Sequence, residues 1–251
     1  MGKGRPFLEV LATALNEDYR FPLLEVFAFF YIMGTFVFAS MGIGSVETGK
    51  VYTFYLVSSM SSLPLFVFLM LILKNIAYGL GSDLEKGVVQ TIFSYPLKRR
   101  SILTAKLLSA LGVATLLFLV TQIFALWLLA PIVITANLDV ILLTYAATLS
   151  ETFLVAGIVL LLALKLKRGG ISFIVGLIAY FALGIVSSML MFASYATGSL
   201  VPLRIYAVIS PSIVLELYYL GGPGFFYSVT ETWVPSFYEV IFYLGASYLA
   251  I

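Results

Sequence analysis

Six stretches of about 20 or more apolar residues recur along this chain, at 21–44, 53–73, 103–135, 140–164, 171–193 and 233–251, and nothing in the sequence constrains its fold more. A helix of roughly 20 residues is the shortest that crosses the hydrocarbon core of a bilayer, where every backbone polar group must be satisfied within the segment. The chain of 251 residues is 62% hydrophobic and only 10% charged, and its mean hydropathy is +1.10, far from the composition of soluble domains. The expectation is an all-α polytopic membrane protein, one transmembrane domain over 1–251 with six transmembrane helices. The sixth stretch is marginal, because it ends on Ile251 with no polar tail.

Basic residues set the orientation, since Lys and Arg concentrate in cytoplasmic segments. Lys3, Arg5 and Arg20 precede the first span; Lys74, Lys86, Lys98, Arg99, Arg100 and Lys106 lie in or beside the second connection; Lys165, Lys167 and Arg168 form the fourth. Only Lys50 and Arg204 fall on the opposite side. This places both termini in the cytoplasm of a multi-pass protein of the cell membrane. The N-terminal stretch is too polar for a signal peptide, and 7–19 reads as an amphipathic helix lying at the interface before span one.

Composition also excludes chemistry. The chain has no Cys and no His, so thiol, Cys/His-metal and Ser/His or Cys/His catalytic arrangements are unavailable. A net charge of +2 gives no nucleic-acid footprint. One octet, GSVETGKV at Gly44–Val51, invites comparison with a phosphate-binding loop, but Val51 stands where a magnesium-binding hydroxyl is needed and no strand precedes it. On the external side of a membrane it reads as a turn. The expectation is therefore no enzyme, no catalytic residue, no metal site and no nucleotide bound by this chain.

The segment 81–108, GSDLEKGVVQTIFSYPLKRRSILTAKLL, carries the most information. Ser82 followed three residues later by Glu85 spells a capping box, which predicts a helix starting near Asp83. Leu84, Val88 and Ile92 form an apolar stripe with Val89 and Phe93 beside them, and Pro96 ends the helix. The helix, over 82–95, is too short to span. It reads either as an interfacial linker between two spans or as a docking element for a cytoplasmic partner.

Glu85, Gly87, Ser94, Pro96, Arg99, Ile102 and Lys106 carry a resemblance. The segment resembles the E-x-G-T-x-x-x-L-x-x-x-P-x-x-R-x-x-I-x-x-G-K pattern of ABC-2 type transporter permeases, with Val88 in place of Thr and Ala105 in place of Gly. The interfacial helix, six spans and a proline-led ISPSIVLELYYL at 209–220 match the family in order, so the resemblance covers essentially the whole chain. It implies the transmembrane subunit of an ATP-driven exporter, with segment 82–95 as the coupling helix seated in a separate ATP-binding cassette subunit. Asp83, Glu85, Gly87, Val88, Thr91, Ile92, Pro96 and Arg99 would form that docking surface. ATP and Mg²⁺ would reside in the partner, and a second permease copy, identical or not, would complete the transporter.

Two other regions invite function. Between the fifth and sixth spans, 194–232 contains Pro202, Arg204, Pro211, Glu216 and a GGPG turn. Prolines and charges argue against a further full crossing and for two short re-entrant or interfacial helices broken at Pro211 or in GGPG, serving as an external gate (Pro211, Glu216) or a passive plug. Glu151 falls midway along the fourth span, where a carboxylate is costly and marks either a translocation path or a helix contact; Ser150 and Thr152 are its nearest candidate partners. Ser58, Ser59, Ser61 and Ser62 before Pro64 mark span two as broken or closely packed, with Ser58 and Ser62 candidates to line the path. Two alternatives stand beside the exporter: a gradient-driven secondary transporter or channel using Glu151, and a non-transporting membrane scaffold.

Overall fold

The computed structural model describes residues 6–42, 49–85, 99–220 and 233–250. Every regular element among them is helical. In chain order these are α1 (Pro6–Asp18), α2 (Leu23–Gly42), α3 (Lys50–Lys74) running through a π-helical turn (Asn75–Gly81) into α4 (Ser82–Glu85), then α5 (Arg99–Leu107) running through a second π-turn (Leu108–Gly112) into α6 (Val113–Leu129). They are followed by α7 (Pro131–Ala136), α8 (Leu138–Leu166), α9 (Gly169–Thr197), α10 (Val201–Ile209), α11 (Ser212–Leu220) and α12 (Phe237–Leu249).

Among the described residues, five segments are long and apolar enough to cross a bilayer: Leu23–Ser40, Lys50–Glu85, Ser101–Leu129, Leu138–Leu166 and Gly169–Thr197. They correspond to the first five expected spans, with one correction, at the third, and one choice between alternatives, at the second. The third stops at Leu129, because Pro131 opens a separate short helix and lacks the N–H that would continue the ladder. The second is unbroken: Pro64 lies inside α3, and the nearby serine hydroxyls donate to carbonyls of the preceding turn, Ser61 to Val57 at 2.7 Å and Ser62 to Ser58 at 3.2 Å. The sixth expected span is represented by α12, 13 residues long. Where one further crossing was doubted, α10 and α11 meet at 118° with the break at Ser210–Pro211, one of the two places the prolines and glycines offer.

The chain divides into two compact units. The first comprises Met1–Thr35, Leu63–Ile123 and Ala156–Leu177. Its centre is aromatic: Tyr31 and Phe68 pack on Phe118 at ring-centroid distances of 6.1 and 5.4 Å, and all three side chains are fully buried. Beside them a polar pair closes on itself, Gln122 Nε2 donating to Thr35 Oγ1 at 2.7 Å, both buried. Helix α1 turns Ala14 and Asp18 inward, four residues apart on one face, and leaves Leu8, Glu9, Asn16 and Glu17 exposed. Close packing of α9 on α8 requires Gly176, whose added Cβ would meet Val159 Cγ2 at 2.3 Å.

The second unit comprises Phe36–Ser62, Phe124–Val155 and Ile178–Ile251. Val140, Leu203, Ala207, Val214, Leu215, Trp233 and Val240 form its core. Two polar ties hold the start of α3 to the start of α8: Asn137 Nδ2 donates to Thr53 Oγ1 at 2.9 Å in the interior, and Lys50 pairs with Asp139 at 2.9 Å on the surface. Helix α12 opens on a capping box in which the Ser236 side chain and the Glu239 carboxylate satisfy each other's backbone donors. The same Glu239 accepts from Trp233 Nε1 at 3.2 Å, and the Arg204 guanidinium lies 5.8 Å from the Trp233 ring centroid.

Candidate functional site

The segment expected to dock a partner falls largely outside the described residues. Gly87, Val88, Thr91, Ile92 and Pro96 lie there; Arg99 is the first residue of α5. Asp83 and Glu85 are described, and they correct the expectation of a capping box. Ser82 is helical (φ −68°, ψ −36°), and its N–H already donates to the Ala77 carbonyl. The π-turn thus carries the helix through Ser82, so no orphan N–H groups remain to be capped. Released from that duty, the Glu85 carboxylate reaches Gly169 and accepts its backbone N–H at a long 3.3 Å. Gly169 is the first residue of α9, whose N-terminal donors and dipole favour an anion.

Glycine makes this seat possible. A Cβ on Gly169 would lie 2.8 Å from the Ala77 carbonyl oxygen, and one on Gly81 would lie 3.0 Å from the Gly169 Cα. Asp83 is also occupied: it pairs with Lys106, whose ammonium is 3.8 Å from Glu17. Helix α4, the last turn of α5 and helix α1 are therefore tied together immediately before residue 86.

A buried polar cluster completes this junction, and sequence reasoning missed it. Asp18 Oδ2 accepts from Ser109 Oγ at 2.6 Å, and its main-chain carbonyl accepts from Lys74 Nζ at 2.6 Å. The Tyr19 hydroxyl spans the carbonyls of Ser109 and Ala110, at 3.0 and 3.1 Å, within the second π-turn. Those carbonyls belong to a widened ladder, where side-chain donors commonly insert. Asn75, in the first π-turn, is 2% exposed. It lies near the Tyr19 hydroxyl at less than hydrogen-bonding geometry, and its amide atoms have no partner. A cavity of about 10 Å³, room for one water, opens between Asp18, Asn75 and Lys106. Burial pushes the Asp18 carboxyl up to about 6, against the opposing pull of the Ser109 hydrogen bond and the Lys74 and Lys106 charges. Burial, with the Asp18 charge, raises Tyr19 as well. The available signal was the polar end of α1, Glu17-Asp18-Tyr19, facing a helix that carries Ser109; neither signals contact until the helices are placed.

Glu151 is residue 14 of the 29 in α8, about 20 Å from either helix end at 1.5 Å per residue. Its expected neighbours do not serve it: Ser150 donates to its own helix at Ala147, and the Thr152 hydroxyl is buried without a partner. The hydroxyl that acts on its carboxylate is instead that of Ser210, at the α10–α11 break. That corner holds Pro211, so the structure brings the mid-span carboxylate and one of the two gate residues together. Glu216 goes elsewhere, to the Tyr55 hydroxyl. Ser58 and Ser62 are not part of the Glu151 environment; the Ser62 hydroxyl is spent on the Ser58 carbonyl.

Beside Glu151 lies an open cleft of about 670 Å³, walled by α9 through Tyr180, Phe181, Gly184, Ser188, Met189 and Phe192. No family model matches the chain, and no curated protein matches it.

Proposed function

We propose that this chain is the transmembrane permease subunit of an ATP-driven exporter of the ABC-2 type, in which a separate ATP-binding cassette subunit binds and hydrolyses ATP with Mg²⁺. In this reading it is a multi-pass protein of the cell membrane with both termini cytoplasmic, working with a second permease copy as a homodimer or heterodimer. The chain itself holds no ATPase site.

The observation that supports this reading best is the construction immediately before residue 86. A lever that transmits movement from a soluble motor needs a root fixed to several spans at once. Here the root is fixed by Glu85 to the start of α9, by Asp83 and Lys106 to α5, and by Lys106 with Glu17 to the interfacial helix. Residues 86–98, which include Gly87 and Pro96 and precede Arg99, follow that root in sequence. Closure of the ATP-binding subunits would displace the segment, and the junction would pass the displacement to α3, α5 and α9 together.

The test is purification of the permease from native membranes in mild detergent, comparing wild type with Gly87→Trp and assaying the eluate for ATP hydrolysis. Co-purified hydrolysis that Gly87→Trp abolishes supports the docking role. An ATPase-free wild-type eluate refutes it. A gradient-driven transporter is the second reading, favoured by the Glu151–Ser210 contact at a helix corner; it predicts proton-dependent flux that survives Gly87→Trp and stops in Glu151→Gln.

A further inference from the structure

Glu151 faces an unusual supply of partners. Among the described residues Ser210 is the side chain whose hydroxyl acts on its carboxylate, while a carboxylate has about four lone-pair sites to satisfy. The cleft beside it is lined by Ser188, by Tyr180, which lies within electrostatic reach of Glu151, and otherwise by apolar groups. Ser188 is turned away from that need, since its hydroxyl donates to the Gly184 carbonyl at 2.9 Å. A carboxylate at mid-span is tolerated when it faces a cavity or a charged partner.

A cation would satisfy that carboxylate, and among the described residues no basic side chain acts on it. Helix α9 carries no charged residue along its whole length. In α2, α3, α6, α8 and α9, basic residues occur only in the first or last turn, as at Lys50, Lys74 and Lys165. A second copy of the chain would therefore bring no ammonium or guanidinium from these helices to the middle of a span. Arg204, the nearest basic residue in sequence to Ser210, lies over Trp233.

The walls specify the rest of the ligand. Phe181, Met189 and Phe192 are 54%, 65% and 71% exposed, and the most apolar 18-residue stretch of α9 is only 11% buried, against 61% for α3. Aromatic faces and a thioether favour a bulky apolar body and attract a cation placed above them. At about 670 Å³ the cleft falls within the size range of small-molecule sites.

From this charge and shape complementarity we infer that the cleft between α8 and α9 binds a lipophilic monovalent cation, the positive centre set against Glu151 and the apolar body against Phe181, Met189 and Phe192. This deepens the transport reading and rests on it only in making the bound cation a transported substrate.

The test uses full-length permease in lipid nanodiscs without nucleotide. Equilibrium dialysis would measure tetraphenylphosphonium and its isosteric anion tetraphenylborate, with empty nanodiscs subtracted. Two variants isolate the site. Glu151→Gln removes the charge at constant shape. Gly184→Leu fills the cleft, and because a Cβ at Gly184 meets nothing within 4 Å, the fold accepts it. The expected result is saturable phosphonium binding, weakened at least about tenfold (about 1.4 kcal/mol) in each variant, with no saturable borate binding. Phosphonium binding equal in wild type and Gly184→Leu overturns the site, as does absence of saturable binding in wild type. Equal binding in wild type and Glu151→Gln overturns the role of the charge. Binding without any co-purified ATPase leaves the cation site standing and removes the ATP-driven reading, so the two fail separately.

Discussion

Replacing Asp18 by Asn should stabilise the protein at neutral pH. Asp18 is 7% exposed at the end of α1, and its carboxyl is raised from 3.8 to about 6, by burial first, opposed by Ser109, Lys74 and Lys106, and assisted by the charge of Glu17. A folded-state value above the unfolded one means the native protein binds the proton more tightly. The stabilisation from this group is complete below about 3.8 and lost as pH rises through about 6. Two units at 1.36 kcal/mol each put the cost of carrying the ionised side chain above that pH at about 3 kcal/mol. Asparagine keeps the shape, which matters because an added Cβ on Gly79 would already lie 3.0 Å from Asp18 Oδ1, and its amide oxygen still accepts from Ser109. At roughly 2 °C per kcal/mol for a chain of this size, Asp18→Asn should melt about 6 °C above wild type near pH 7.5. The gap should narrow as pH falls below about 6 and close only as it approaches about 3.8. Thermal unfolding of the detergent-purified protein, followed by intrinsic fluorescence across that range, reads both. If Asp18→Asn melts below wild type at neutral pH, the carboxylate is a net stabilising anion held by Lys74 and Lys106, and the reasoning is wrong.

Gly169→Ala should cost about 1–3 kcal/mol, the usual penalty for overpacking, because its Cβ would meet the main-chain oxygen of Ala77 at 2.8 Å; Gly170→Ala, with nothing within 4 Å, should be harmless, and equal melting temperatures for the two variants would rule out the tight seat. Tyr19→Phe removes the donor shared by the Ser109 and Ala110 carbonyls and should cost about 1 kcal/mol, with faster amide exchange within 108–112 by mass spectrometry; unchanged exchange would show that the second π-turn does not depend on that hydroxyl.

What the sequence conveyed and what it concealed differ in physical kind. Span positions follow from length and hydropathy, which act locally, so Leu138–Leu166 lies within two residues of the expected 140–164 at each end. The bend at Pro211 was legible for the same reason, since a missing N–H breaks a helix wherever it falls. The capping box at Ser82 was a correct local pattern overridden by a non-local fact: the helix arriving from α3 had already supplied the turn that the cap would have closed. Partners 59 to 91 residues apart, such as Glu151 with Ser210 or Asp18 with Ser109, leave no trace in periodicity. The glycines at 81 and 169 were visible in the sequence, but not that they face each other.

The two described carboxylates of the proposed docking segment are better understood as its root than as its contact face. Asp83 is engaged by Lys106, and Glu85 by the backbone of α9. A partner that recruited either one would have to displace an interaction already made and leave Lys106, 12% exposed at its side chain, without its closest anion. Breaking one partner from such a half-buried pair generally costs more than the new surface contact returns. Contact energy for a partner therefore has to come from the apolar stripe of Val88, Ile92 and their neighbours. On this division, changes at Glu85 act on the seating of α9 and appear first as lost stability, whereas changes at Gly87 or Ile92 act on the partner and appear first as lost association.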